Sequence, residues 1–223
     1  MTKIIAEIGW NHMGDIELAE KMISEAKKSG ADYAKFQTWS VKNLKSGSWD
    51  NDGRRQIYEQ AELTHTKHLE LIKICEKYEI DFLTSVFNSD DVEFVSTLIN
   101  SIKIPSSEMN NQEIIKSIIK YFKPKENHHI FISTGSSLFS EILSVIKMFQ
   151  ENKMNFTILH CVSSYPCPYD KCNLDRINEL KKYHTSIGYS GHCPGIFDSI
   201  TSLEYDIDVV EKHFTIDNDL PGR

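Results

Sequence analysis

The chain has 223 residues, of which 40% are hydrophobic and 26% charged, and its formal net charge at pH 7 is −7. This length suffices for one substantial core, so we expect a single domain over residues 1–223. The acidic balance argues against nucleic-acid binding, and no stretch resembles a signal peptide or the ~20 apolar residues of a membrane span. We therefore predict a cytoplasmic protein with neither nucleic-acid nor membrane partners.

Short apolar runs alternate with longer amphipathic ones along the chain, which predicts strands alternating with helices. In the first helical stretch, Asp15 is placed to cap the start and Gly30 to end it. Eight such β-then-α units are typical of the α/β class and of a (β/α)8 TIM barrel, in which functional groups lie at the carboxyl ends of the strands. The predicted strands cover residues 3–9, 33–38, 81–87, 101–106, 129–134, 155–161, 185–191 and 208–215.

Two features depart from a regular barrel. Residues 39–63 form an overlong connection after the second strand, and connections of this length are often functional lids or binding loops. The chain also ends with "DNDLPGR" after the eighth strand, so the eighth helix is expected to be missing.

Polar residues recur where the predicted strands end. Lys35 and Lys103 lie within strands, and a buried lysine is costly unless an anion meets it. Hydroxyl groups nearby and the "STG" turn at 133–135 suit a phosphate or a carboxylate. The alternative is that each lysine faces outward and covers a helix with its stem. The polar residues predicted at this rim include Glu7, Gln37, Ser85, Ser106, Ser133, Ser163, Tyr165, Ser190 and Glu211.

Two of the nine histidines, His192 and His213, follow the seventh and eighth predicted strands. Neighbouring strands bring them to the same height, where two imidazoles with water and substrate oxygens suit Mn²⁺ or Mg²⁺, and Zn²⁺ less well. The residues alone leave open whether this pair binds a metal. Glu7 is likewise either the ion-pair partner of a lysine or a general acid or base.

The five cysteines include no CxxC pair. In a reducing compartment this pattern favours neither a disulfide framework nor a zinc ribbon. We expect free thiols that serve mainly in packing.

The motifs "AEIGWNHMGD", "AKFQT", "STG", "LHCVSSYPCPYDKCNL", "IGYSGH" and "VEKHFT…PG", which run in order from Ile4 to Gly222, resemble the N-acetylneuraminate (sialic acid) synthase family. That family includes legionaminic and pseudaminic acid synthases and spore-coat polysaccharide enzymes. The resemblance implies a TIM barrel that condenses phosphoenolpyruvate with an acetamido sugar such as N-acetylmannosamine. Water and a divalent metal take part, and the products are a nonulosonic acid and phosphate.

The resemblance also implies roles for individual residues. His192 and His213 match the metal ligands, and Glu7, Gln37 and Tyr165 match positions that face the sugar and the reacting carbons. Glu7, Lys35 and Lys103 are the expected catalytic residues, with Glu7 managing the proton of water or aldehyde. The residues implied in phosphoenolpyruvate binding are Lys35, Lys103, Ser106, Ser133 and Ser190, together with Ser85 and Ser163.

Several positions depart from the family pattern. Gly191 stands where an acidic residue is common, Ser163 where asparagine is frequent, and Pro105 where glycine is usual. We expect the loss of the acid at Gly191 to remove an outer partner of the metal histidine. An acidic sugar-binding residue beyond "PG" and a C-terminal antifreeze-like domain are also expected to be missing from this chain, and the resemblance implies a homodimer.

Two other functions remain open from the sequence. One is a barrel aldolase that forms a Schiff base with Lys35 or Lys103. The other is a non-catalytic barrel that binds sugars. The acceptor sugar cannot be read from the residues, although Asp52 and the rest of the 39–63 connection are expected to shape it.

Overall fold

A computed structural model describes residues 1–44, 46–47 and 51–220. Its eight strands are all parallel and close into a barrel in chain order, each strand pairing with the next and β8 pairing with β1. All eight predicted strands are confirmed, with ends that differ by at most two residues, and so is the (β/α)8 TIM barrel. The strands are β1 Lys3–Gly9, β2 Tyr33–Thr38, β3 Asp81–Val86, β4 Ser101–Ile104, β5 His129–Ser133, β6 Phe156–Cys161, β7 Ile187–Gly191 and β8 Val209–His213.

Helices cover the outside of the barrel. In the first one, the Asp15 carboxylate accepts hydrogen bonds from the amides of Glu17 and Leu18, and Gly30 follows the helix with a positive φ of 89°, as the sequence predicts. No helix among the described residues has the length and apolar character needed to cross a membrane. The helices are α1 Ile16–Lys28, α2 Arg54–Ala61, α3 His65–Lys77, α4 Asp90–Leu98, α5 Gln112–Phe122, α6 Phe139–Glu151, α7 Arg176–Leu180 and α8 Phe197–Ser202.

The connection after β2, predicted as one long loop, contains helix α2 and a 3₁₀ turn at Val41–Asn43. Only Ala61 of α2 is fully buried, so the helix lacks the apolar repeat that would have revealed it in the sequence. Ala61 packs with Trp39 and Val41 in a small separate apolar cluster. Residues 45 and 48–50 of this connection lie outside the described part of the chain.

The segment that follows β8 contains no helix within the described residues 214–220. Residues 221–222, the "PG" of the last motif, lie outside the described residues.

Inside the barrel, side chains from alternate strand positions are stacked in layers, as the period of two requires. The six residues of the lower layer pack together as an apolar cluster, which we call the apolar layer. Two positions further along each strand, a polar side chain or a cysteine faces the same interior. The apolar layer consists of Ile5, Tyr33, Leu83, Phe131, Leu159 and Val209. The residues above it are Glu7, Lys35, Ser85, Ser133, Cys161 and Glu211.

Candidate active site

Four charged residues, which we call the charged cluster, fill the barrel interior above the apolar layer: Glu7, Lys35, Lys103 and Glu211. All four side chains are buried, with 3–7% of each exposed. The outward-facing alternative for the two lysines is therefore wrong. Two ammonium groups and two carboxylates leave the cluster with no net formal charge, which makes the burial tolerable.

Lys35 has a full set of partners. Its Nζ lies 2.6 Å from Oε2 of Glu7 and 3.7 Å from Oε2 of Glu211, and it donates a hydrogen bond to Oγ of Ser85 at 3.1 Å. An ammonium group has three protons to donate, so Lys35 is held from three sides.

Lys103 is held differently. Its Nζ donates to Oε1 of Glu211 at 2.5 Å, and no other hydrogen bond of Lys103 occurs within the described residues. The same oxygen of Glu211 accepts a hydrogen bond from Oγ of Ser190 at 2.9 Å. Lys103 therefore keeps two donors for a ligand.

The pKa values of these groups shift in opposite directions. Burial lowers the pKa of Lys103, and the attraction of Glu211 offsets only part of this effect. Burial acts in the same direction on Lys35, but Glu211 and Glu7 outweigh it and the pKa of Lys35 is raised. Burial opposes ionisation of Glu211, yet Lys103 and Lys35 hold its pKa well below its usual value.

Hydroxyl groups from three neighbouring strand ends form a small cradle of Ser106, Ser133, Gly135 and Ser163. The amide of Gly135 donates to Oγ of Ser106 at 3.1 Å. A Cβ atom on Gly135 would meet Oγ of Ser163 at 2.3 Å and Oγ of Ser106 at 2.8 Å, so a side chain there would displace these hydroxyls. The Oγ of Ser133 is buried and has no hydrogen-bond partner among the described residues. An orphaned buried hydroxyl is typical of a site that binds a polar ligand.

The two rim histidines lie together. Their ring centroids are 5.7 Å apart, and the ring of Tyr165 packs against that of His192 at 3.9 Å between centroids, tilted by 35°. Nδ1 of His192 lies 2.7 Å from the carbonyl oxygen of Val162, and because a carbonyl can only accept, Nδ1 must donate. This tautomer leaves Nε2 of His192 as an acceptor, the state in which imidazole binds a metal. Burial lowers the pKa of His192 to about 4, which keeps the ring neutral at pH 7.

Glu7 links the charged cluster to the histidines. It is the register partner of His213 on β8 and of Lys35 on β2. Its Oε1 accepts a hydrogen bond from Nε2 of Gln37 at 2.8 Å. The ion-pair alternative for Glu7 is thus what the structure contains, and it leaves a catalytic role untested.

Asp52 lies apart from these groups in the described contacts. It is exposed and pairs with the neighbouring Arg54, whose guanidinium lowers the pKa of the carboxyl group. Its role in choosing a sugar stays a prediction. The remaining predicted site residues belong to the charged cluster, the hydroxyl cradle or the histidine pair, or contact one of them. Ser85, Ser190 and Gln37 bond to the charged cluster, and Tyr165 packs against both histidines.

Two acidic residues that support the site were not assigned roles from the sequence. Glu211 joins both lysines, although the sequence indicates only that it is near the rim. Asp198 on α8 is 2% exposed, and both its carboxylate oxygens lie 2.9 Å from Nζ of Lys212 on β8. A Cβ on Gly191 would lie 2.4 Å from Oδ2 of Asp198. The carboxylate of Asp198 therefore lies where a side chain at Gly191 would begin, and its partners are Tyr189, Cys193 and Lys212.

Comparison with known proteins gives consistent relatives. The NeuB family model matches residues 22–223. The chain is 36% identical to N,N'-diacetyllegionaminic acid synthase of Campylobacter jejuni over 99% of this chain and 70% of that protein. It is 30% identical to the protein of the same name in Legionella pneumophila, over 98% of this chain and 65% of that protein.

Among solved structures, N-acetylneuraminic acid (sialic acid) synthetase from Leptospira borgpetersenii, in complex with citrate, superposes with a TM-score of 0.88 at 30% identity. The match covers 99% of this chain and 75% of that one. The chain thus spans about two thirds of the length of the curated relatives it matches.

Proposed function

The chain belongs to the NeuB family, and from this premise we propose that it condenses phosphoenolpyruvate with an acetamido sugar of the N-acetylmannosamine type and water. The products are a nonulosonic acid of the sialic type and inorganic phosphate. The reaction forms a carbon–carbon bond between C3 of the enol and the aldehyde carbon of the open-chain sugar. Water adds at C2, and the phosphate leaves.

The observation that carries this proposal is that Lys103, which keeps two donors without a partner among the described residues, lies on β4, the strand that leads to Ser106 of the hydroxyl cradle. Phosphoenolpyruvate offers a phosphate and a carboxylate, both of which bind ammonium and hydroxyl donors well. Ser133 supplies a buried hydroxyl that lacks a partner among the described residues, and the hydroxyls of Ser106 and Ser163 lie around Gly135, two residues further along the chain. The N–H donors that Lys103 keeps beside its ion pair with Glu211 match the oxygen acceptors of such a ligand.

His192 and His213 fit a divalent metal. They present two imidazoles in adjacent positions, and the bond from Nδ1 of His192 to Val162 fixes the tautomer that a ligand needs. Imidazole together with water and sugar oxygens suits Mn²⁺, with Mg²⁺ as the other preferred ion. When bound there, the metal supplies Lewis-acid polarisation of the sugar aldehyde.

The chain's own residues hold the reactants and move protons. Lys35 and Lys103, with Ser85, Ser190 and the cradle, fix the phosphate and carboxylate and stabilise negative charge on the leaving phosphate. Glu7 lies between Lys35 and the register position of His213, where the water and the aldehyde would meet. We assign Glu7 the transfer of the proton, and Gln37 and Tyr165 the contacts with the sugar.

The proposal is tested by measuring phosphate release from phosphoenolpyruvate with Mn²⁺ and a panel of acetamido sugars. We expect release that depends on both sugar and metal, and loss of it in Lys103→Met and His192→Asn. Lys73→Met, a change on the outer helix α3, is the matched control and retains activity. Phosphate release without any sugar would contradict the proposal. The absence of phosphate release with every sugar would also contradict it, and would favour a non-catalytic sugar-binding barrel.

One observation favours a second candidate, the Schiff-base aldolase. The lowered pKa of Lys103 is the property that an amine nucleophile needs. Borohydride reduction in the presence of a keto acid would then attach the acid covalently to Lys103. The proposed condensation predicts no such adduct, because Lys103 would act there as a hydrogen-bond donor to the anion while paired with Glu211 at 2.5 Å.

A further inference from the structure

Three buried cysteines lie together beside the barrel mouth: Cys167, Cys172 and Cys193, the cysteine cluster. Their sulfur atoms are all within 4.8 Å of one another, and each residue is 1–4% exposed. The sulfurs of Cys172 and Cys193 are 2.8 Å apart. The cysteines are free, as predicted, but three of the five lie at one point rather than being scattered through the core.

The fold brings these cysteines together from two separate loops. Cys167 and Cys172 lie in the connection between β6 and α7, and Cys193 follows β7. The amide of Cys167 donates to the carbonyl oxygen of His192 at 2.9 Å, which fixes the two loops against each other. The separations in sequence, five residues and then twenty-one, match no common metal-binding motif, so the cluster is visible only in three dimensions.

We propose that the cysteine cluster binds a thiophilic d¹⁰ ion of the Zn²⁺ or Cu⁺ class, separate from the metal at His192 and His213. Each thiol would release its proton to solvent and bind as thiolate. Soft sulfur ligands select these ions, whereas the imidazole and oxygen donors at the rim suit harder ones. The protein would then bind two different metals a few residues apart.

The geometry needs only a small adjustment. With Zn–S bonds of about 2.3 Å in a tetrahedron, two sulfurs stand roughly 3.8 Å apart. Cys172 and Cys193 would separate by about 1 Å, the scale of a side-chain rotation. The carbonyl oxygen of Pro168 already lies 3.5 Å from the sulfur of Cys167 and 3.7 Å from that of Cys172, so it is placed as a fourth donor.

An ion pair of Lys212 and Asp198 lies beside the cluster, so the bound ion itself would balance most of the charge of the thiolates. Nζ of Lys212 donates to the carbonyl oxygen of Cys193 at 2.7 Å, while Asp198 neutralises part of its charge. A bound ion would tie the connection after β6 to the residue next to His192. It would therefore help to hold His192 in place, a role separate from the chemistry proposed above.

The test uses purified, fully reduced protein titrated with Cd²⁺, which stands in for Zn²⁺ and gives a sulfur-to-cadmium charge-transfer band in the ultraviolet. We expect one Cd²⁺ per chain with this band, displaced by Zn²⁺. Cys167→Ser, Cys172→Ser and Cys193→Ser should each weaken binding by more than the roughly tenfold that loss of an outer-shell contact costs. Cys75→Ser, a buried thiol on α3, is the matched control.

His213→Asn separates this proposal from the proposed function, because it removes a rim ligand and should leave the cadmium–sulfur band unchanged. Zinc X-ray absorption of the wild-type chain, loaded with one equivalent, needs no variant and should report three sulfur neighbours. The proposal would be overturned if the reduced protein gave no cadmium–sulfur band, or if the band were unchanged in all three serine variants. It would also be overturned if the bound zinc had only nitrogen and oxygen neighbours.

Discussion

The ammonium of Lys103 lies 2.5 Å from the carboxylate of Glu211 in the interior of the barrel, where neither side chain is more than 7% exposed. Glu211 also faces Lys35 at 3.7 Å, so this one carboxylate balances part of the charge of both lysines. Removal of one partner from a buried ion pair leaves the other charged in a poorly solvated place. The stability of the ligand-free barrel should therefore depend on Glu211.

We predict that Glu211→Gln lowers the free energy of unfolding by on the order of 3 kcal/mol, because Lys103 loses its buried counter-charge. Urea denaturation at pH 7 measures the change. The matched control is Glu126→Gln on the exposed surface, which should shift stability by less than about 0.5 kcal/mol. Equal stabilities for the Glu211 variant and the wild type would show that the ion pair contributes nothing.

Glu7→Gln tests the assigned proton transfer. The amide keeps the size of the side chain and can still accept from Gln37, and Glu211 remains as a counter-charge for Lys35, so phosphoenolpyruvate should bind with little change. Turnover should fall by roughly 100-fold or more, the usual contribution of a general acid or base. Binding is followed by calorimetry and turnover by phosphate release, with Glu17→Gln in the exposed first turn of α1 as the control. Near-normal turnover would refute the role.

Gly135→Ala tests the hydroxyl cradle. The added methyl group would collide with the hydroxyls of Ser163 and Ser106, at 2.3 and 2.8 Å. Overpacking of this kind typically costs about 1–3 kcal/mol, and here it also displaces groups that we expect to hold the anion. We predict weaker binding of phosphoenolpyruvate, measured by calorimetry. Ser163→Ala in the same background should recover stability without recovering affinity. Unchanged affinity in Gly135→Ala would place the anion elsewhere.

A double-mutant cycle tests whether Asp198 takes the place of a side chain at Gly191. Gly191→Asp alone should be destabilising, because its Cβ would lie 2.4 Å from Oδ2 of Asp198 and two carboxylates would compete for Lys212. Asp198→Ala alone should be destabilising by about 3 kcal/mol, since Lys212 loses its buried partner. The double variant should be more stable than the sum of the two losses predicts. If the two losses in the free energy of unfolding simply add, Asp198 does not take the place of a side chain at Gly191.

Stability should fall with acid because of His12. The ring is 0% exposed, its Nδ1 accepts a hydrogen bond from the amide of Gly14, and burial lowers its pKa from 6.5 to about 4. Between these two pKa values the unfolded chain binds more protons than the folded one. The contribution of neutral His12 to folding stability is therefore fully present above pH 6.5. It is lost progressively as the pH falls towards 4, by roughly 3 kcal/mol in all.

The measurement is urea unfolding at pH 7 and pH 5. His12→Gln should flatten the pH dependence, while His65→Gln, at an exposed position, should leave it as in the wild type. If the His12 variant loses as much stability between pH 7 and pH 5 as the wild type, the acid sensitivity belongs to other groups.

The fold was predictable because each strand is a short apolar run bounded by turns and polar residues, and the eight units repeat one pattern. Lys35 and Lys103 were identifiable because a lysine in such a run is unusual. Glu211 was harder to assign, since Glu211 and Lys212 are adjacent and charged, and periodicity alone does not say which faces the interior. Helix α2 has almost no buried face, and its sequence therefore lacks the periodic apolar signal.

The cysteine cluster and the pairing of Asp198 with Lys212 depend on contacts between loops. Cys172 and Cys193 are 21 residues apart, and no local rule relates them. Asp198 lies in a helix of six residues, too short for its buried face to be read from the sequence. Sequence patterns predict which element a residue occupies, whereas these contacts follow from how the connections after β6 and β7 pack on each other.

The apolar layer has a consequence for the order in which ligands arrive. Ile5, Leu83 and Leu159 are fully buried and separate the charged cluster from the amino-terminal end of the barrel, so a ligand would reach the lysines from the carboxyl end of the strands. Lys103 is buried, whereas His213 at that end of the barrel is exposed. On the proposed chemistry, the phosphorylated reactant would bind below the sugar and would therefore enter first, and the sugar-derived product would depart before a new phosphorylated reactant could enter.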